Sequence, residues 1–101
     1  MATVTSKALA RQAAALTSTT LYTVPASTTT VVTNILVVNT AVTSATFDLL
    51  LDDVSIANDV VVAANDTLSI DLKQVLTTTK TIKGLASATT VNFHISGVEI
   101  V

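Results

Sequence analysis

Residues 30–39 read TVVTNILVVN, the longest β-branched run in the chain. Taken as a strand, the run places Val31, Ile35 and Val37 on one face and Val32, Leu36 and Val38 on the other. A strand apolar on both faces belongs in the middle of a packed structure or at a subunit interface. The same reading extends outward. Upstream, residues 19–24 form a strand that Pro25 stops. Downstream, residues 46–51 point Phe47, Leu49 and Leu51 one way, and Asp52-Asp53 supplies a hairpin turn. Residues 54–56 and 59–62 read as two short strands around Ala57-Asn58, and residues 63–66 as a turn. Residues 67–72 alternate, with Leu68, Ile70 and Leu72 inward and Thr67, Ser69 and Asp71 outward. Residues 79–85 follow, and a last strand over 91–101 faces Val91, Phe93 and Ile95 inward. Its apolar positions then shift by one, to Val98 and Ile100, and a β-bulge at Gly97 would restore the inward face. The spacing predicts an all-β chain: a seven- to eight-stranded antiparallel β-sandwich or small jelly roll.

Composition agrees. Thr (20), Val (15) and Ile (6) make 41 of 101 residues β-branched, which suits pleated strands. Apolar residues are 50% of the chain, which excludes a disordered linker, and charged residues only 12%, against roughly 25% in an average soluble domain. A small sandwich with so few charges is expected to hide surface in an oligomer, which would also compensate for a modest core. The basic residues Lys7, Arg11, Lys73, Lys80 and Lys83 are scattered within a net charge of −2, and Tyr22, Phe47 and Phe93 are the only aromatics. This is neither the basic face nor the stacking platform that nucleic acid requires. There is no apolar run of about 18 residues for a membrane span, and the N-terminus is not patterned as a signal peptide. With no cysteine, neither disulfides nor thiolate sites are available, and synthesis in a cytoplasm is expected.

Residues 1–18 differ from the body at 19–101. The stretch SKALARQAAAL fits either a short helix capped by Ser6, with Leu9 and Leu16 on one side, or an extended arm lying on a neighbouring subunit. The chain is thus divided into an N-terminal arm, 1–18, and a β-sandwich domain, 19–101. Removal of residues 2–16 is expected to leave a folded sandwich.

No constellation of residues carries a reaction. His94, the single histidine, alternates with Phe93 and Ile95 and falls on the outer face without a nucleophile or orienting acid in pattern. Asp52, Asp53, Asp59 and Asp66 lie in or beside turns, too loosely spaced for the six or so oxygens that a calcium ion takes. Backbone-bonding turn aspartates are the simpler reading, Asn65-Asp66 included. Gly84 and Gly97, the only glycines, make no phosphate loop, and the hydroxyls form no nucleophile motif. The expectation is a non-enzyme with no catalytic, cofactor or metal residues.

The segment TTLYTVPASTTTVVTNILVVN (19–39) resembles the "TLYTVPA…VVT.I.V.N" signature of small tailed-phage virion proteins. The likeness continues through Ala45-Thr46-Phe47, Ala64-Asn65-Asp66-Thr67-Leu68, Thr81-Ile82-Lys83, Ala86-Ser87, Val91-Asn92-Phe93 and Gly97-Val98-Glu99, covering most of residues 19–100. In such proteins an extended segment with a glycine and a proline precedes LYTVP; here Ala10-Arg11-Gln12-Ala13-Ala14 stands there with neither. The resemblance implies a virion structural protein, first a capsid decoration (cement) protein: a homotrimeric β-sandwich that bridges major capsid subunits on the virion surface after synthesis in the host cytoplasm. The chain is too short for a fibre, which needs a shaft as well as a head. Residues 1–18 would reach the capsid or a neighbouring subunit, and the rim of the 31–38 strand would form the trimer contact. The alternatives are a tail or baseplate component, or a carbohydrate-binding attachment module, for which Tyr22 is the one candidate stacking aromatic.

Overall fold

The computed structural model describes residues 3–101. Eight strands follow in order: β1 (Val4–Ala13), β2 (Thr19–Thr23), β3 (Thr29–Asn39), β4 (Ala45–Leu51), β5 (Val54–Val62), β6 (Thr67–Leu76), β7 (Thr81–Ala86) and β8 (Val91–Ile100). They form two four-stranded antiparallel sheets, sheet A in the order β1-β8-β3-β6 and sheet B in the order β2-β7-β4-β5. Four of the pairings, β1 with β8, β2 with β7, β3 with β6 and β4 with β5, are those of one long hairpin. Rolling that hairpin adds β3–β8 and β4–β7 and closes the sandwich as a jelly roll.

The hairpin tip lies at Asp52-Asp53, where both residues have positive φ (54° and 60°). That is the backbone of a two-residue type I′ turn, whose twist matches the flanking strands. Ser27, Asn65 and Thr79 take the same left-handed conformation in the β2–β3, β5–β6 and β6–β7 turns. Between the sheets, Phe47 and Phe93 meet edge to face, with ring centroids 6.1 Å apart. Ile35, Leu49, Ile82 and Ile95 pack around them. Gly84 faces the same layer; a Cβ there would stand 3.2 Å from the Phe93 ring and 3.1 Å from both Leu21 and Leu49. The glycine therefore makes room for the aromatic pair.

The local readings of β4 and β6 hold: Phe47, Leu49 and Leu51 are buried, and Leu68, Ile70 and Leu72 are the half-buried residues of their strand. Three other expectations are corrected. First, β8 runs straight through Gly97. Gly97 and Glu99 face inward after Val91, Phe93 and Ile95, while Val98 and Ile100 face outward. The irregularity sits on its neighbours, where Leu9 is the extra residue on β1 and Thr33 the extra residue on β3. Second, the bulge at Thr33 switches the faces of β3, so Val32 lies inside with Ile35 and Val37, and Val31 lies outside with Leu36 and Val38. The strand is apolar on both faces, but with a different membership. Third, residues 54–62 form one bulged strand rather than two. Asp59 has φ 50°, and its N–H donates to Asp48 Oδ1 at 2.9 Å.

The segment at 1–18 is not helical where described. From Val4 to Ala13 it is extended, as the arm reading expects, but it pairs with β8 of its own chain. Met1 and Ala2 lie outside the described residues. Leu9, Ala10 and Ala14 are buried in the core, so deleting residues 2–16 would remove a strand and uncover the β8 edge.

Candidate functional site

The sequence-selected polar residues do not converge. His94 lies on the outer face of sheet A, half-buried, opposite Arg11 on β1 and Leu36 on β3. Asp52 and Asp53 sit at the hairpin tip, 3.5 Å from Lys80 and 2.7 Å from Lys83 respectively. Exposed pairs of this kind contribute on the order of 0–1 kcal/mol. Asp66 accepts the Thr67 N–H at 2.9 Å, which is turn chemistry. Among the described residues no group of three or more His, Cys, Asp or Glu side chains is placed to hold a metal ion, and no pocket opens. None of the described residues forms a helix, so no helix is long and apolar enough to cross a membrane.

Two features were not anticipated. The larger is a polar cluster where the edges of the two sheets meet. Glu99, buried on the inner side of β8, accepts a hydrogen bond from the Tyr22 hydroxyl at 2.5 Å and from Lys7 Nζ at 3.2 Å. The Tyr22 oxygen also lies 2.8 Å from Thr30 Oγ1. Glu99 and the Tyr22 hydroxyl together thus tie β1, β2, β3 and β8 across both sheets. The Tyr22 hydrogen bond, assisted by Lys7, holds the Glu99 carboxyl below the ordinary carboxylate range against the opposing effect of burial. Burial, and then the Glu99 carboxylate, push the Tyr22 phenol up to about 12. At neutral pH the site is therefore a phenol hydrogen-bonded to a carboxylate, with the Lys7 side chain paired to the same carboxylate. Tyr22, the one candidate stacking aromatic, is half-buried with its hydroxyl committed to Glu99 and Thr30. The signal for Glu99 was present: the parity of Val91, Phe93 and Ile95 continues inward to Gly97 and Glu99.

The second feature is the outer face of sheet A. Val75, Val31 and Val98 stand in one row across β6, β3 and β8, and Ile100 and Val4 stand in the next. Val4 and Val75 are each 63% exposed. The row lies at the end of the sheet where Thr3 and Val101 exchange backbone hydrogen bonds of 3.0 and 2.9 Å. Val31 of the two-faced β3 thus joins apolar residues of β6, β8 and β1 on this face.

No protein-family profile matches the sequence, and no curated protein matches it. Solved structures do. The chain is similar to a chain of the T13 viral particle of IBDV, with TM-score 0.59 and 10% identity over 98% of this chain and 30% of that one. It is equally similar to the infectious bursal disease virus VP2 subviral particle, with TM-score 0.58 and 16% identity over 98% of this chain and 32% of that one. The infectious bursal disease virus Gx strain structure gives TM-score 0.57 and 17% identity over the same shares. At these identities the likeness shows a shared fold. The chain spans about a third of the length of the viral chains it matches.

Proposed function

We propose that the chain is a structural subunit of a virus particle, and within that class a capsid decoration (cement) protein that bridges major capsid subunits as a homotrimer. The observation that carries the reading is the whole-chain match: 98% of this jelly roll superposes on part of a viral-particle chain. The architecture suits the task. Every described element is spent on a closed sandwich, no pocket serves a small molecule, and the outer face of sheet A offers apolar surface to a protein partner.

The mechanism is mechanical. A subunit seated across the junction of neighbouring capsomers adds buried area that separation of those capsomers must uncover. Threefold repetition makes the second and third contacts effectively intramolecular, so individually weak contacts sum to firm attachment. The place of work is the virion surface, after synthesis in the host cytoplasm, with the major capsid protein and further copies of the chain as partners. Neither nucleic acid nor membrane has a part in it.

Light scattering behind a sizing column, followed by co-sedimentation with undecorated capsids, tests the reading. A species near three times the 10.4 kDa chain mass that saturates capsids at a fixed ratio is the expected result. A sixfold species that ignores capsids moves the chain to a tail or baseplate ring. A monomer that does not co-sediment overturns the proposal.

A further inference from the structure

We propose that β1 is an exchangeable strand, so that in the assembled state the β8 edge of one copy is covered by β1 of another. The proposal rests on the reading of the chain as an assembling subunit and names the contact through which copies engage. It keeps a functional boundary at residue 18, with 1–18 as the exchanging segment and 19–101 as the body that receives it.

The first argument is how lightly β1 is held. Only Leu9 and Ala10 of its ten residues are buried, and the other eight are exposed. Strands attached mainly by an edge ladder, with few buried apolar groups, open before the rest of a domain. What fastens β1 is its pairing with β8, from Val4 opposite Ile100 to Ala13 opposite Asn92, together with the Lys7–Glu99 ion pair. Every one of these contacts depends on the sequence of β1 and none on which chain supplies it. Exchange between copies therefore conserves them, which is why swapping is a low-cost route to oligomers.

The second argument is the connector. Ala14 extends the ladder by donating its N–H to Val91 on sheet A, and Ala15 accepts the Ala86 N–H on sheet B, so the chain passes between the sheets from one residue to the next. So short a connector invites exchange between copies. Straightened, β1 and β2 become one continuous arm.

The third argument is charge. β1 carries Lys7 and Arg11 and no acid, which leaves the body with three lysines against seven acids, a formal −4. Bodies of like charge repel, whereas a basic arm is attracted to a neighbour's acidic body. Its target is built for it: in the exchanged state Lys7 of one copy reaches the Glu99 carboxylate of the next, which Tyr22 holds in place. The partner is thus a second copy of this chain rather than a foreign strand.

The test uses a cysteine pair in a chain that has no cysteine of its own. Ala8 and Ser96 are directly opposite on β1 and β8, and both are exposed. Antiparallel partners of this kind have Cα atoms about 4.5–5.5 Å apart, within the roughly 4.4–6.8 Å that a disulfide spans. The Ala8→Cys/Ser96→Cys protein is assembled reduced at high concentration, diluted, oxidised, and run on a denaturing gel without reductant, with light scattering in parallel. Covalent multiples of 10.4 kDa in place of single chains are expected. Oxidation of dilute monomer beforehand should lock β1 onto its own body and abolish assembly. Oligomers whose disulfides all lie within single chains overturn exchange and leave the assembly reading intact; monomers with only internal disulfides overturn both. Should that pair fail to fold, Ala13→Cys/Asn92→Cys, at the other end of the same ladder, gives the same readout.

Discussion

Replacing Gly97 by Ala adds one methyl group, and the structure specifies where it goes. The new Cβ would stand 2.3 Å from the Val31 carbonyl oxygen, 3.0 Å from Leu9 Cδ1 and 3.2 Å from the Val31 carbonyl carbon. Ordinary contact begins near 3.4 Å, so the β3 backbone must retreat by about 1 Å. Gly97 has no positive φ, so the penalty is purely this collision. Moving Val31 disturbs the β3–β8 ladder where Val32 faces Gly97 and Val31 faces Val98. Losing one ladder hydrogen bond costs about 1 kcal/mol, and overpacking strain adds roughly 1–3 kcal/mol. The expected loss is about 2–4 kcal/mol, against a total stability of roughly 5–15 kcal/mol for a domain of this size.

Gly84→Ala is the internal comparison. Its Cβ meets only side-chain atoms, Leu21 and Leu49 at 3.1 Å and Phe93 at 3.2 Å, all of them able to shift by tenths of an ångström. Burying a methyl group gains about 0.8 kcal/mol, and Ala is better than Gly inside a strand by about 0.5–1 kcal/mol. Crowding offsets both, leaving the variant within about 1 kcal/mol of the parent. Urea unfolding at constant m separates the two cases. In a thermal scan Gly97→Ala should melt about 10–25 °C lower. A Gly97→Ala protein as stable as the parent, or less perturbed than Gly84→Ala, would refute the close approach of β3 to β8 and the register that causes it.

Further outcomes follow from polar groups at or beneath the surface of the sandwich. The lowered Glu99 carboxyl adds stability above the unfolded carboxylate value of about 4.3, and that stability is lost as pH falls through the folded value. Tyr22, pushed up to about 12, adds stability below about 10 that is lost as pH rises from there to its folded value. Urea midpoints should therefore be flat from about pH 5 to 9 and decline on both sides. Glu99→Gln should flatten the acid limb, and an unchanged acid limb would remove Glu99 from it. Asn39, 1% exposed, donates through Nδ2 towards Thr43, Val62 and Ala63 carbonyls and accepts from Ala41 N–H and Thr90 Oγ1. Asn39→Ala should lose about 2–4 kcal/mol in urea unfolding. Asn39→Asp, which aims a carboxylate at carbonyls, should be destabilised at pH 7 and partly recover in acid; parental stability at pH 7 would refute the donor assignment.

Most of the sheet content was legible because period-two alternation is a local signal. β4 shows it in Phe47, Leu49 and Leu51, and the Asp52-Asp53 turn shows itself through residues that tolerate positive φ. β1 was not, for a physical reason: Ala8, Ala10 and Ala13 favour a helix in isolation, and only the β8 ladder overrides that preference. The clustered site was illegible as a site. Tyr22 and Glu99 are 77 residues apart and meet only because β2 and β8 occupy facing sheets.

The bulges explain the misread faces, and the unbroken parity of β8 explains the cluster. At one level of sheet A, β1 gains Leu9 against β8 and β3 gains Thr33 against β8. There β6 has two residues, Leu72 and Lys73, against Thr33 alone on β3. Bulges of this kind act on the strands that carry them, β1 and β3, and leave β8 regular. The Val31 carbonyl of the bulged β3 lies against Gly97, where a Cβ would stand 2.3 Å from its oxygen. Beyond Gly97, β8 keeps its parity and carries Glu99 inward, where an unpaired carboxylate would be untenable. Tyr22 and Lys7 supply its partners, and Thr30 in turn bonds the Tyr22 hydroxyl. The cluster that fastens β1 thus follows from the unbroken parity of β8. A strand fastened mainly by one polar group and a ladder is also the strand best placed to leave.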